Sequence, residues 1–151
     1  MSIFAGMSRS PSASTLAAAS LIGVATGMRS FLPLAALSLT HSRPRGLRLL
    51  LVPLATAELV RDKQPGTGSR LAPGPLGFRI VAGGLGAAWL TQPRAPLVLT
   101  GVAGALAGAL IGSRARARLP AATGTPDLPW AVVEDATAAA LVTTAVHLAS
   151  R

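Results

Sequence analysis

The chain carries only five acidic residues, Glu58, Asp62, Asp127, Glu134 and Asp135, and most of them sit in or beside apolar runs. Glu58 and Asp62 are spaced i, i+4, so on a continuous helix they share a face. Glu134 and Asp135 are neighbours just ahead of the apolar run 136–149. Carboxylates in such places can hold a cation, exchange a proton or pair with a buried base. The natural base is Arg29, near the middle of the apolar segment 15–39. A lone Arg within a membrane costs at least ~2.5 kcal/mol on insertion scales. Pairing with Glu58 or Glu134 would offset much of that. The like charges of Glu58 and Asp62 also need compensation, from Arg29, from Arg61 or Lys63, by protonation or by a bound cation. The candidate ion or solute site is therefore Glu58, Asp62, Glu134, Asp135 and Arg29, with Lys63 and Ser30 as secondary members. Gly27 and Pro33 flank Arg29 and predict a break in the helix, the device by which membrane proteins expose backbone groups at a binding site.

Other chemistries find little support. The chain has no cysteine, which excludes disulfides, Cys-ligated zinc and thiol catalysis. His41 lies among arginines, and His147 lies near the end of the last apolar segment, where an imidazolium suits the helix dipole. Two distant histidines make no metal motif. Ser and Thr are scattered without a nucleophile elbow. Gly66-Thr67-Gly68-Ser69-Arg70 lacks the Gly-Lys-Ser/Thr ending of a phosphate loop and follows no strand. No catalytic residue and no cofactor are expected, and the chain does not read as an enzyme. A lipid-acting enzyme would need a nucleophile or metal centre that the sequence does not offer.

The elements that must position these residues follow from composition. Of 151 residues, half are hydrophobic and 13% are charged, where a soluble domain carries about a quarter. Aromatics make up only 3%, and mean hydropathy is +0.53. Disorder is excluded by that hydrophobicity. The net charge of +9 invites a nucleic-acid partner. However, all its basic residues except Lys63 are arginines placed between apolar runs, and the absence of Tyr removes most stacking platforms. Arginines flanking membrane segments explain the charge better. No nucleic-acid partner is expected; the lipid bilayer is.

One integral membrane domain is predicted, with residues 1–14 as a tail and 15–149 as an all-α, multi-pass helical bundle. Candidate segments are 15–39, 47–60, 76–90, 95–112 and 130–149, separated by loops at 41–48, 61–74, 92–94 and 114–129. They amount to four or five spans. No segment alternates with period two for long, which disfavours a barrel. Arg9 ahead of 15–28 has the outline of a signal peptide. The apolar run continues to residue 39 without a convincing cleavage site, so it reads as a retained membrane segment. Segment 47–60 is about 21 Å long as a helix, which places Glu58 within the membrane or at its edge; the alternative is a re-entrant or interfacial helix with Glu58 in water. In the last segment Trp130 reads as an interfacial anchor. Glu134 and Asp135 are then either partly hydrated or simple first-turn acids on the helix dipole, with Asp127 or Thr125 as cap.

With the N-terminus inside, Arg9, Arg61, Lys63, Arg70, Arg79, Arg114, Arg116 and Arg118 face the cytoplasm. Arg43, Arg45, Arg48, Arg94 and Arg151 face out, a bias in the expected direction. If 76–90 spans, Glu58, Asp62, Glu134 and Asp135 converge at similar depth on one side. Gly101, Gly104, Gly108 and Gly112 form a small-residue face, matched by Gly23 and Gly27. Such faces let helix backbones approach closely, within one chain or between subunits. A single copy offers little interior for a substrate path, so a homo-oligomer, a dimer, is expected. Two functional readings follow: a small transporter or channel for a cation, proton or small solute, and a non-catalytic membrane scaffold whose charges are structural ion pairs.

Three fragments carry a family resemblance. They are Gly27-Met28-Arg29-Ser30-Phe31-Leu32-Pro33-Leu34-Ala35, then Glu58-Leu59-Val60-Arg61-Asp62-Lys63-Gln64-Pro65 with Ser69-Arg70 and Arg79, and Val133-Glu134-Asp135-Ala136. From about Ala18 to Leu148 the chain resembles an uncharacterised family of small bacterial inner-membrane proteins, domain of unknown function 4126. Gly68 stands where that family has Pro. The resemblance implies a multi-pass membrane protein and brings no activity. Glu58…Asp62-Lys63 is also similar in chemistry, though not in spacing, to the acidic motif of small manganese and calcium exchangers, where motifs from two helices meet.

Overall fold

The computed structural model describes residues 10–40, 44–63 and 71–151. Arg9, His41, Arg43 and the 66–70 loop, with Gln64 and Pro65, lie outside the described residues. The described chain is all-helical, with six helices and no strand among those residues. They are α1 (Ala13–Met28), α2 (Leu32–Thr40), α3 (Arg45–Arg61), α4 (Pro73–Thr91), α5 (Ala95–Thr123) and α6 (Asp127–Ala149). Two of them, α5 and α6, are long and apolar enough to cross a membrane, and α1 is a shorter apolar helix.

Segment 15–39 folds as α1 and α2 with a break at 29–31. Ser12 caps α1, its hydroxyl accepting from the Thr15 amide at 3.2 Å. At the other end Arg29 turns extended, at φ −137° and ψ 111°. Pro33 then falls in the first turn of α2, where its missing N–H is no loss.

The expected loop at 114–129 is corrected. α5 runs on to Thr123 and stops at Gly124, which adopts the left-handed conformation at φ 64°. The arginines at 114, 116 and 118 alternate with alanines and Leu119, all good helix formers. Charge there marks a change of surroundings, not the end of the helix. α6 likewise starts earlier than expected, after Pro126, with no side-chain cap. Neither Thr125 nor Asp127 caps it. Glu134 and Asp135 therefore lie about two turns inside α6, too deep to be first-turn decoration.

α1 is the central helix, with α5, α4 and α6 packed around it, and α3 lies mainly against α2. Small residues make this possible. A Cβ on Gly23 would collide with the Gly101 carbonyl, and one on Gly27 with the Ala105 carbonyl. One on Gly104 would sit 2.6 Å from the Ser20 carbonyl, and one on Gly108 would overlap the Val24 carbonyl. Gly101 also faces Gly83 and Ala87 of α4. Gly112 is buried on the same helix. The glycine face is thus consumed inside one chain. Gly77, in α4, has nothing within 4 Å of its would-be Cβ.

These contacts set opposite signs for similar substitutions. Gly27→Ala and Gly108→Ala should each destabilise by about 1–3 kcal/mol, because backbone must move. Gly77→Ala should stabilise by about 0.5–1 kcal/mol, because alanine loses less entropy in a helix. Thermal unfolding of the detergent-purified variants checks both; equal effects at the three positions would contradict the packing described.

Candidate functional site

The break between α1 and α2 leaves backbone groups without helical partners, and buried groups of that kind must be satisfied elsewhere. Two charged side chains do this. Glu58, in the last turn of α3, accepts from the Ser30 amide at 2.7 Å and from the Phe31 amide at 2.8 Å. Arg79, from α4, donates to the carbonyls of Gly27 at 2.6 Å and Met28 at 2.8 Å. Arg79 and Glu58 also face each other at 3.8 Å. An anion thus receives the amides leading into α2, and a cation receives the carbonyls ending α1. Each charge complements the local dipole end it meets.

Arg29 leaves this break with a side chain that is 0% exposed. Its three guanidinium nitrogens address three carboxylates. Nη1 donates to Asp62, which caps α3. Nε donates to Asp135 Oδ1 at 2.5 Å. Nη2 lies 3.3 Å from Glu134 Oε2. Close approach at Gly27 brings the end of α1 against α5, and this aims Arg29 inward between α3 and α6. Its planar fork holds its donors in fixed directions toward these separate acceptors, where a lysine would offer a single point charge.

The network extends outward from there. Lys63 Nζ donates to Asp135 Oδ2 at 2.7 Å and to the Leu59 carbonyl at 3.0 Å. Arg116, on α5, lies 3.5 Å from Glu134 Oε2 and grips Asp127 with two nitrogens, one at 2.7 Å. All five acidic residues of the chain are therefore engaged by these four basic ones.

The expected site residues do come together, with one rearrangement. Arg29 pairs with Asp62, Glu134 and Asp135. Glu58 turns to the backbone and Arg79 instead of Arg29, because the amides at the break compete for it. Ser30 joins through its amide, and Lys63 through Asp135. Among the described residues, no group of three His, Cys, Asp or Glu side chains is arranged to hold a metal ion. Arg79, named only within the family resemblance, and Arg116, counted only among the loop arginines, were not expected as site residues. The signal for Arg79 was present: like Arg29, it interrupts an apolar run, here 76–90.

No protein-family model matches the chain, and no match is found among curated proteins or solved structures.

Removing one partner of a buried charge network leaves the others uncompensated, at a cost of about 3–5 kcal/mol. Arg29→Met should lose that much stability, and Arg29→Lys should lose clearly less, since an ammonium still supplies the charge. Asp135→Asn, at the partly exposed edge of the cluster, should cost least. Denaturant unfolding in detergent checks the order; an Arg29→Met variant as stable as wild type would remove Arg29 from the centre of the fold.

Proposed function

We propose that this chain is a small multi-pass protein of the bacterial inner membrane, with four or five spans, that transports a cation or small solute. The observation that carries the reading is one fully buried arginine at a helix break, facing carboxylates from two other helices. Ionisable groups inside a membrane are costly, and they concentrate on ion and proton pathways. Broken helices mark binding sites in transporters for the same reason. In this reading α1 and α2 together make one broken span, α5 and α6 are full spans, and α3 and α4 complete the bundle. The resemblance to the domain-of-unknown-function-4126 proteins supports the same membrane placement. Arg29 is the counter-charge, and Asp62, Glu134 and Asp135 bind the moving charge. The working form is a homodimer, because one copy offers little interior for a path.

A second reading has its own observation. Glu58 and Arg79 are spent on backbone groups, which suits a scaffold whose charges hold helices together.

Reconstitution into liposomes separates the two. The transporter reading expects flux of a proton, monovalent or divalent cation above that of empty liposomes. Glu134→Gln and Asp62→Asn should remove that flux while the protein still purifies as folded. Absence of flux for every cation offered, together with variants that only lose stability or assembly, would favour the scaffold.

A further inference from the structure

Helix α5 is 29 residues long, about 43 Å at 1.5 Å per residue. The hydrocarbon of a bilayer is only about 30 Å thick. The apolar part of α5 ends at Gly112, and Arg114, Arg116 and Arg118 follow directly. As a span, α5 therefore carries these arginines into the headgroup layer. Arg116 turns inward to Asp127 and Glu134. Arg114 and Arg118, spaced i, i+4, share another face of the helix and are both exposed. All five acids of the chain are engaged by Arg29, Lys63, Arg79 and Arg116. Among the described residues no acid is left to pair with Arg114 or Arg118.

On the same turns of α5, an apolar crevice of about 120 Å³ opens between α1, α5 and α6. Met28, Ala115, Leu119, Trp130 and Val133 form its walls. Glu134 and Arg116 border it, but their charges are turned to each other and to Arg29 and Asp127. Ile111 on α5 and Val132 and Val133 on α6 are exposed and extend the apolar surface. A hollow with apolar walls stays dry and takes hydrocarbon. Trp130 donates from its indole nitrogen to the Thr125 hydroxyl at 2.8 Å. An apolar ring with a satisfied polar tip is the usual side chain of the headgroup level.

We infer that this end of α5 and α6 binds an anionic phospholipid, with the headgroup phosphate on Arg114 and Arg118 and part of one acyl chain in the crevice beside Trp130. The inference rests on the membrane placement proposed above and does not need transport. Basic sites between membrane helices recognise anionic headgroups in this way. Guanidinium suits the phosphate, because its fixed fork can meet two oxygens at once. Charge selects this lipid among its neighbours. A zwitterionic headgroup brings a cation of its own, which two unpaired arginines repel.

The chain's two tryptophans make the test direct. Trp130 lines the crevice, whereas Trp89, near the end of α4, packs against the core cluster that contains Leu97 in the first turn of α5. Each is read alone in a Trp89→Phe or Trp130→Phe background. The probes are phosphatidylglycerol and phosphatidylcholine with brominated acyl chains, titrated into the protein in a mild detergent. Bromine quenches indole fluorescence on contact. Trp130 should reach half-quenching at a phosphatidylglycerol fraction at least about fivefold lower than that of phosphatidylcholine, and Trp89 should show no such preference. Arg114→Gln with Arg118→Gln should abolish the preference at Trp130. Arg45→Gln with Arg94→Gln removes the same charge elsewhere and should keep it. Equal quenching of Trp130 by both lipids, an equal preference at Trp89, a preference that survives the Arg114 and Arg118 changes, or one lost equally in both double variants overturns the inference and leaves the membrane placement standing. No quenching of either tryptophan by either lipid overturns both. The expected preference together with no ion flux supports the lipid site and counts against transport alone.

Discussion

A helix that stops inside a bundle must hand its free carbonyls and amides to something else. That constraint organises this molecule. α1 ends at Met28 and α2 begins at Leu32, and water is not there to complete the hydrogen bonds. Glu58 and Arg79 do so from two different helices. Charged partners make such bonds about twice as strong as neutral ones. The same pair ties α3 and α4 to the break, so the positions of four helices depend on it. Arg29 is displayed by this break: its extended backbone turns the side chain out of the helical path and into the acidic cluster.

Close packing of α1 is the second requirement. Arg29 can be fully buried only if α1 lies directly on α5, and the glycines at 23, 27, 104 and 108 permit that approach. Local sequence and tertiary chemistry agree here, since the glycine-rich face meets α1 just where the charged network begins. The acidic residues then do two distinct jobs. Glu58 is tied to the backbone, whereas Asp62, Glu134 and Asp135 surround a single side chain that offers three nitrogens.

Much of this was legible in the sequence. Scarce acids in apolar runs pointed to Glu58, Asp62, Glu134 and Asp135. Gly27 and Pro33 around Arg29 predicted the break, because both residues are poor helix continuations at those positions. The helical class followed from the absence of period-two segments. Three features were not legible. The end of α5 was misplaced because arginines were read as a loop, although Arg and Ala continue a helix well. The partner of Glu58 was misassigned because sequence does not show which buried amides need an acceptor. Arg116 was counted only as a loop charge, since its reach to both Asp127 and Glu134 depends on how α5 and α6 turn back on each other.

Glu58 closes the open end of α2. Hydrogen exchange at the Ser30 and Phe31 amides tests it most directly, in wild type and in Glu58→Gln. Both amides should exchange slowly in the wild type, comparably to the adjoining helices, and the variant should show a large acceleration confined to the break. Fast exchange at both amides in the wild type, or no change on substitution, would contradict it.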